Sequence, residues 1–219
     1  GQWREIAALM VTVAEAVHFA HQRGVLHRDL KFGNVIFDEQ GTVYVCDFGL
    51  AKWVGPSHSG SHALTLEGTA MGTPHYLAPE AARHGAVAAT AASDLYALGA
   101  VLYELLAGQP PFMAESTPEL MRRIYEEPGI PPWRLHPDVP RDLSAVTMKC
   151  IEKDPAQRYG SALALAADLK SWLAGRGVEA RPVPGRVRLG RWARRNPALT
   201  AMAALLLLAL TTAAVLQVQ

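Results

Sequence analysis

The chain has 219 residues, half of them hydrophobic, and a formal net charge of +1. That is enough apolar material for one substantial core plus an appendage, and a charge so near neutrality leaves no global footprint for nucleic-acid binding. Its two cysteines, Cys46 and Cys150, fall in a predicted strand and a predicted helix, which argues against a disulfide framework and for reduced, buried thiols.

In chain order, Ile6, Leu9, Met10, Val13, Val17 and Ala20 recur at helical spacing from Trp3 to Arg23, and Gly24 can take a left-handed cap. His18 and His21 ride on this helix and read as packed or solvent-facing side chains. The next stretch is the most informative. His27-Arg28-Asp29-Leu30-Lys31-Phe32-Gly33-Asn34 sets a carboxylate and a carboxamide five residues apart on a tight loop. Val35 to Phe37 and Thr42 to Cys46 follow as strands, joined by the turn residues Asp38-Glu39-Gln40-Gly41. A hairpin brings its open ends together, so Asn34 and the Asp47 of Asp47-Phe48-Gly49 are expected side by side. Such an oxygen pair suits a hard cation, Mg²⁺, which fills its remaining positions with water and phosphate.

These residues resemble the protein kinase family, whose pattern H-R-D-L-x-x-x-N followed by D-F-G they match in order and distance. The resemblance implies a bacterial-type Ser/Thr protein kinase using ATP and Mg²⁺. In that setting Asp29 accepts the proton of the substrate hydroxyl, Lys31 sits against the transferring phosphate, and Asn34 and Asp47 hold the metal. Lys31, Asn34, Ile36 and Asp47 would together contact the nucleotide. Phe32 departs from the proline common at its position and is expected to alter the stiffness of the loop more than its chemistry.

From Lys52 to Ala70 the chain is rich in Gly, Ser, Thr and His without periodicity, which reads as a loop. By resemblance this is the activation segment, running to Ala78-Pro79-Glu80. Thr65 and Thr69 are either phosphorylation sites, with Arg28 as the partner of the phosphate, or ordinary polar loop residues. His58 and His62 lack companion ligands and read as solvated. Gly72-Thr73-Pro74 opens the substrate-docking loop, where the resemblance implies that Thr73 bonds toward Asp29 and Lys31 and helps select Ser or Thr as acceptor. It also implies a buried ion pair between Glu80 and Arg158.

Ser93 reads as the N-cap of a helix from Asp94 to Ala107 with Gly108 as its stop. The helix is apolar around its whole circumference and so should be buried; by resemblance Asp94 reaches the backbone of the His27-Arg28 turn. Three more helices are expected: one from Ser116-Thr117-Pro118 that ends before Pro128, one from Arg141 to Glu152, and one from Ser161 to Ala174 closed by Gly175. Pro128 to Pro140 connects the first two.

The expected architecture is therefore mainly α, the helical C-lobe of the protein kinase-like α+β fold with a small β-hairpin, over residues 1–174. Residues 175–197 read as a basic juxtamembrane linker, with arginines from Arg176 to Arg195 opposed only by Glu179. Residues 198–216 are nineteen in a row without a charge, enough to cross a bilayer as one transmembrane helix. The arginines before that run place the kinase lobe on the cytoplasmic side of the cell membrane and could touch anionic headgroups. Nucleic-acid binding by the tract is the weaker alternative, since Trp192 is its only aromatic residue.

No Gly-rich phosphate loop or strand lysine is found in the sequence. The expectation is a piece of a larger protein, without the nucleotide-clamping lobe and nearly inactive alone. The partners expected are protein Ser/Thr substrates, the membrane and a second copy for autophosphorylation of the activation loop. A non-catalytic, membrane-tethered docking module is the alternative; the joint presence of His27, Asp29, Lys31, Asn34 and Asp47 argues for the enzyme.

Overall fold

A computed structural model describes residues 1–48, 74–84 and 89–181. These residues are mainly helical, with a single two-stranded sheet among them. The run 198–216 and most of the arginine tract lie outside the described residues. Within those residues no helix is long and apolar enough to cross a membrane.

Helix α1 spans Gln2–His21 and buries Met10, Val13, Ala14 and Val17 along one stripe. It ends in a turn whose Gly24 takes φ 73°, a left-handed value that costs glycine least. Strands β1 (Val35–Phe37) and β2 (Val43–Val45) pair antiparallel, with Val35 opposite Val45 and Ile36 opposite Tyr44. Val35, Val43 and Val45 face the main core, while Ile36 and Tyr44 stand exposed. At the turn Asp38 accepts hydrogen bonds from the N–H groups of Gln40 (3.0 Å) and Thr42 (2.7 Å), so the side chain closes the hairpin.

Helix α2 (Pro79–His84) precedes α3 (Ala91–Ala107), the axis of the lobe. Thirteen α3 residues are buried, from Ser93 and Asp94 to Ala107, and Gly108 at φ 69° ends it. The cap lies three residues earlier than expected. Thr90, in extended backbone, is the N-cap, and Ser93 sits inside the first turn, where its hydroxyl accepts the Thr90 N–H at 3.1 Å. A serine three residues after a threonine satisfies the N-terminal donors reciprocally, so either residue can read as the start.

Helices α4 (Thr117–Glu126), α5 (Pro132–Leu135), α6 (Arg141–Cys150) and α7 (Ala162–Leu173) complete the lobe. Ser116 and Ser161 cap α4 and α7 by accepting backbone N–H groups. The proline-rich connector contains the single turn of α5. Helix α1 packs on α7, and α3 packs on both α1 and α6. The α3–α6 approach is close: a Cβ on Gly99 would lie 2.3 Å from Cys150 Cβ.

Beyond Gly175 the chain stays on the lobe to Arg181. Val178 is buried in the main core. The Asp168 carboxylate, on α7, accepts the N–H groups of Glu179 (2.6 Å) and Ala180 (3.0 Å) as well as the Tyr159 hydroxyl (2.6 Å). Lys149 reaches Glu179 at 2.6 Å, and Arg181 reaches Asp142 at 2.8 Å. A single buried carboxylate thus fastens a strap that has no periodicity of its own.

Candidate active site

The loop from His27 to Asn34 is held at both ends. At its start, the Asp94 carboxylate accepts the His27 N–H at 2.8 Å on Oδ2 and the Arg28 N–H at 2.9 Å on Oδ1. Arg28 adopts φ 67°, a left-handed value that costs a side-chain-bearing residue roughly 1–3 kcal/mol. The two charge-assisted bonds to Asp94 offset that cost. His21, from the last turn of α1, adds a third bond, its Nε2 lying 2.7 Å from Asp94 Oδ2. A carboxylate only accepts here, so His21 Nε2 carries the proton. Nothing in apolar periodicity singles out His21; its position one turn before the glycine cap is the only signal the sequence offers.

At its other end the loop closes on itself. The Asn34 Nδ2 donates to the Asp29 carbonyl at 2.8 Å and its N–H to the Lys31 carbonyl at 3.0 Å, forming the 3₁₀ turn Phe32–Asn34. Asn34 is buried, and using its nitrogen on the loop leaves its side-chain oxygen as an acceptor. Lys31 Nζ lies 3.0 Å from Asp29 Oδ2, and the Asp29 side chain is 47% exposed. Such an exposed pair adds little stability. Its consequence is positional, since a cation is kept beside a carboxylate that faces open space.

The hairpin joins this loop to Asp47. Cys46 donates its N–H to the Asn34 carbonyl at 2.9 Å, so the residues just outside the two strands are paired. Asp47 follows at φ 60°, again left-handed, with an exposed side chain. Two non-glycine residues in strained backbone, Arg28 and Asp47, thus flank the same small region, as strained residues tend to do at functional sites.

His27 ties the two segments together. It is fully buried; Nε2 lies 2.9 Å from the Cys46 carbonyl and must donate, which leaves Nδ1 facing the Asp29 N–H at 3.4 Å. That pattern requires the neutral ring. Burial holds its pKa below the usual histidine value, outweighing the nearby Asp94 carboxylate. The Phe48 ring stacks at 4.6 Å from that of His27, tilted by 44°.

The structure therefore gathers Asp29, Lys31, Asn34 and Asp47 in one region, with Ile36 exposed on the hairpin two residues beyond Asn34. Thr73, with Gly72, Thr65, Thr69, His58 and His62, lies outside the described residues. The donor set fits a hard cation: the Asn34 carboxamide oxygen and the Asp47 carboxylate are oxygen ligands, and no cluster of three or more His, Cys, Asp or Glu competes among the described residues.

Away from the loop, Arg158 makes a bidentate pair with Glu80, at 2.7 Å to Oε1 and 2.8 Å to Oε2. It also donates to the carbonyls of Ala92 and Glu152. Ser93 donates to the same Glu80 Oε1 at 2.8 Å, which links the pair to the first turn of α3. Burial pushes the Glu80 pKa up, but the bonds from Arg158, its backbone and Ser93 prevail and hold it below the usual value. Tyr76 donates to Glu104 on the far side of α3.

A model of the protein kinase domain family matches residues 2–170. Serine/threonine-protein kinase PknB of Mycolicibacterium smegmatis is 37% identical over 166 residues, covering 76% of this chain and 26% of that protein. The PknB of Mycobacterium leprae is 38% identical over 161 residues, 74% of this chain and 25% of that one. A probable serine/threonine-protein kinase PknB of Bifidobacterium longum is 35% identical over 172 residues, 78% and 24% of the two chains. The chain spans about a quarter of the length of these curated relatives.

Proposed function

This chain belongs to the protein kinase family, and from that premise we propose that the protein transfers the γ-phosphate of ATP to Ser and Thr hydroxyls of other proteins. The observation that carries the reading is the joined loop and hairpin, where one hydrogen-bonded unit holds Asp29, Lys31, Asn34 and Asp47. Names of the relatives above support the Ser/Thr class.

Asp29 accepts the hydroxyl proton as the oxygen attacks; its exposed carboxylate leaves room for an acceptor side chain. Lys31, held beside it, supplies positive charge where the transferring group passes. Asn34 and Asp47 would hold Mg²⁺, which neutralises phosphate charge when bound. Ile36 offers an apolar contact for the nucleotide, and Thr73 aids selection of the acceptor. In this family full turnover also uses a Gly-rich loop and a strand lysine to clamp the nucleotide phosphates.

We also read the protein as anchored in the cell membrane through residues 198–216, with the kinase lobe on the cytoplasmic side. The charge-free run and the preceding arginines support this. Two copies would meet to phosphorylate the activation segment.

The test is to incubate the product of the full reading frame with γ-labelled ATP, Mg²⁺ and protein substrates, then analyse the labelled amino acids. Phosphoserine and phosphothreonine that disappear with EDTA are expected; absence of label, or label on tyrosine alone, contradicts the assignment.

A further inference from the structure

Phe32 takes the place in the loop where the family resemblance implies a change of stiffness, yet the residue is 45% exposed, unlike its apolar neighbours Leu30 (2%) and Val35 (8%). The Asn34 bonds to the Lys31 and Asp29 carbonyls close the 3₁₀ turn that carries this residue. Next to it, Gly33 has no left-handed φ, and among the described residues beyond its chain neighbours no atom lies within 4 Å of where its Cβ would be. Neither the backbone nor the packing of the described residues demands glycine there. Among the described residues, Lys31 is followed by an exposed aromatic residue and a glycine.

We infer that Phe32 is a specificity-determining residue, selecting acceptor peptides that carry an apolar side chain within three residues of the phosphorylated Ser or Thr. The inference rests on the phosphotransfer reading above. An acceptor hydroxyl must come within about 3 Å of the Asp29 carboxylate. An extended peptide advances about 3.3 Å per residue, so positions up to three away from the acceptor sweep roughly 10 Å to either side. Phe32 adjoins Lys31, whose Nζ touches Asp29, and consecutive Cα atoms are about 3.8 Å apart. Its ring is therefore within reach of the swept stretch. An apolar substrate side chain covering the exposed ring removes apolar surface from water, worth on the order of tenfold in kcat/KM. A charged side chain gains nothing comparable, because Lys31 and Asp29 already neutralise each other.

The experiment is a positional peptide library phosphorylated by the full-length protein with Mg²⁺ and ATP, comparing wild type with Phe32→Glu, Phe32→Lys and Phe32→Ser. Wild type should favour Leu, Ile, Val, Met or aromatic residues by about tenfold at one position within three of the acceptor. Phe32→Glu should move the preference at that same position to Lys and Arg, Phe32→Lys to Asp and Glu, and Phe32→Ser should flatten it. KM for ATP should stay within about twofold. The ring is a surface group, so all three proteins should melt together with wild type. Peptide preferences unchanged in all three variants overturn the inference and leave the kinase reading intact. A raised KM for ATP with the same peptide preferences places the ring under the nucleotide and also overturns it. Absence of transfer by wild type to any peptide sinks the kinase reading and this one with it.

Discussion

His21 and Asp94 meet at 2.7 Å, on the same carboxylate oxygen that receives the His27 N–H. The contact links the end of α1 to the first turn of α3 and leaves the His27–Asn34 loop suspended from a carboxylate that is itself held by a histidine. Asp94 is 2% exposed, so its three bonds form away from competing water. Each bond to a charged group is worth about 1.5–3 kcal/mol, and their sum is less than additive. Asp94→Ala should therefore lower unfolding free energy by about 3 kcal/mol or more, and His21→Ala by about 1–2 kcal/mol. Denaturant midpoints check both; a change under about 0.5 kcal/mol for Asp94→Ala would show that the loop does not depend on this anchor.

Stability should fall with acid in two stages. Burial keeps His27 below the ordinary value of 6.5, and burial does the same for His75 against the opposing pull of Glu104. The folded state then binds fewer protons than the unfolded chain between those lowered values and 6.5, so stability is complete above about pH 6.5 and drains away as pH falls below it. Glu80, also lowered, keeps its contribution above its ordinary value of 4.5 and loses it in a second window below. Thermal melting from pH 7.5 to 4 should show both declines, with the first made shallower by His27→Asn. A melting temperature flat between pH 7 and 5.5 contradicts the neutral, buried ring.

Arg158 has no exposed side-chain surface, and its guanidinium bonds fasten α2, α3 and the segment after α6. Removing one partner of a buried pair leaves the other charge uncompensated, a loss of about 3–5 kcal/mol. Arg158→Ala should cost that much in unfolding free energy, and Arg158→Lys a large part of it, because an ammonium cannot reproduce the bidentate fork. Equal stability of wild type and Arg158→Lys would show the fork to be dispensable.

For the strap after α7, the main-chain donors of Glu179 and Ala180 end on Asp168. Hydrogen exchange in the full-length protein should find these two amides protected, and Asp168→Ala should speed their exchange by at least about tenfold. Exchange at the rate of an unstructured peptide in wild type would mean that the lobe does not retain this segment.

Much of this architecture can be read from the chain because its signals are local. The stripe of α1, the turn residues of the hairpin, the serine caps of α4 and α7 and the wholly apolar α3 each report on a few neighbouring positions. The loop and D-F-G motif do so as well, and the hairpin turn explains their meeting. Asp94 on the His27-Arg28 turn and the Glu80–Arg158 pair, both long-range and polar, are implied by the family resemblance and are present; what spacing and periodicity alone hide is of the same kind. Asp94 sits 73 residues from His21, and only the packing of α1 on α3 brings them together. The strap from Arg176 to Arg181 has no period, so its order depends on Asp168 and on the seat of Val178. Ser93 reads as the N-cap of α3, with the helix from Asp94, but Thr90 caps it, because two hydroxyl residues three apart can both serve. Phe32 reads as a change in stiffness until the exposure of its ring is seen.

The most direct measurement is the turnover of the full-length protein with Asp29 replaced by Asn, which keeps the shape of the side chain and removes its basicity. With Mg²⁺, ATP and a Ser/Thr substrate, Asp29→Asn should transfer phosphate at least about a hundredfold more slowly than wild type. Its melting temperature should stay close to wild type, since Asp29 is exposed and its carboxylate hydrogen-bonds only Lys31 among the described residues. Turnover equal to wild type would remove Asp29 from the chemistry and with it the account of this loop as a phosphotransfer site.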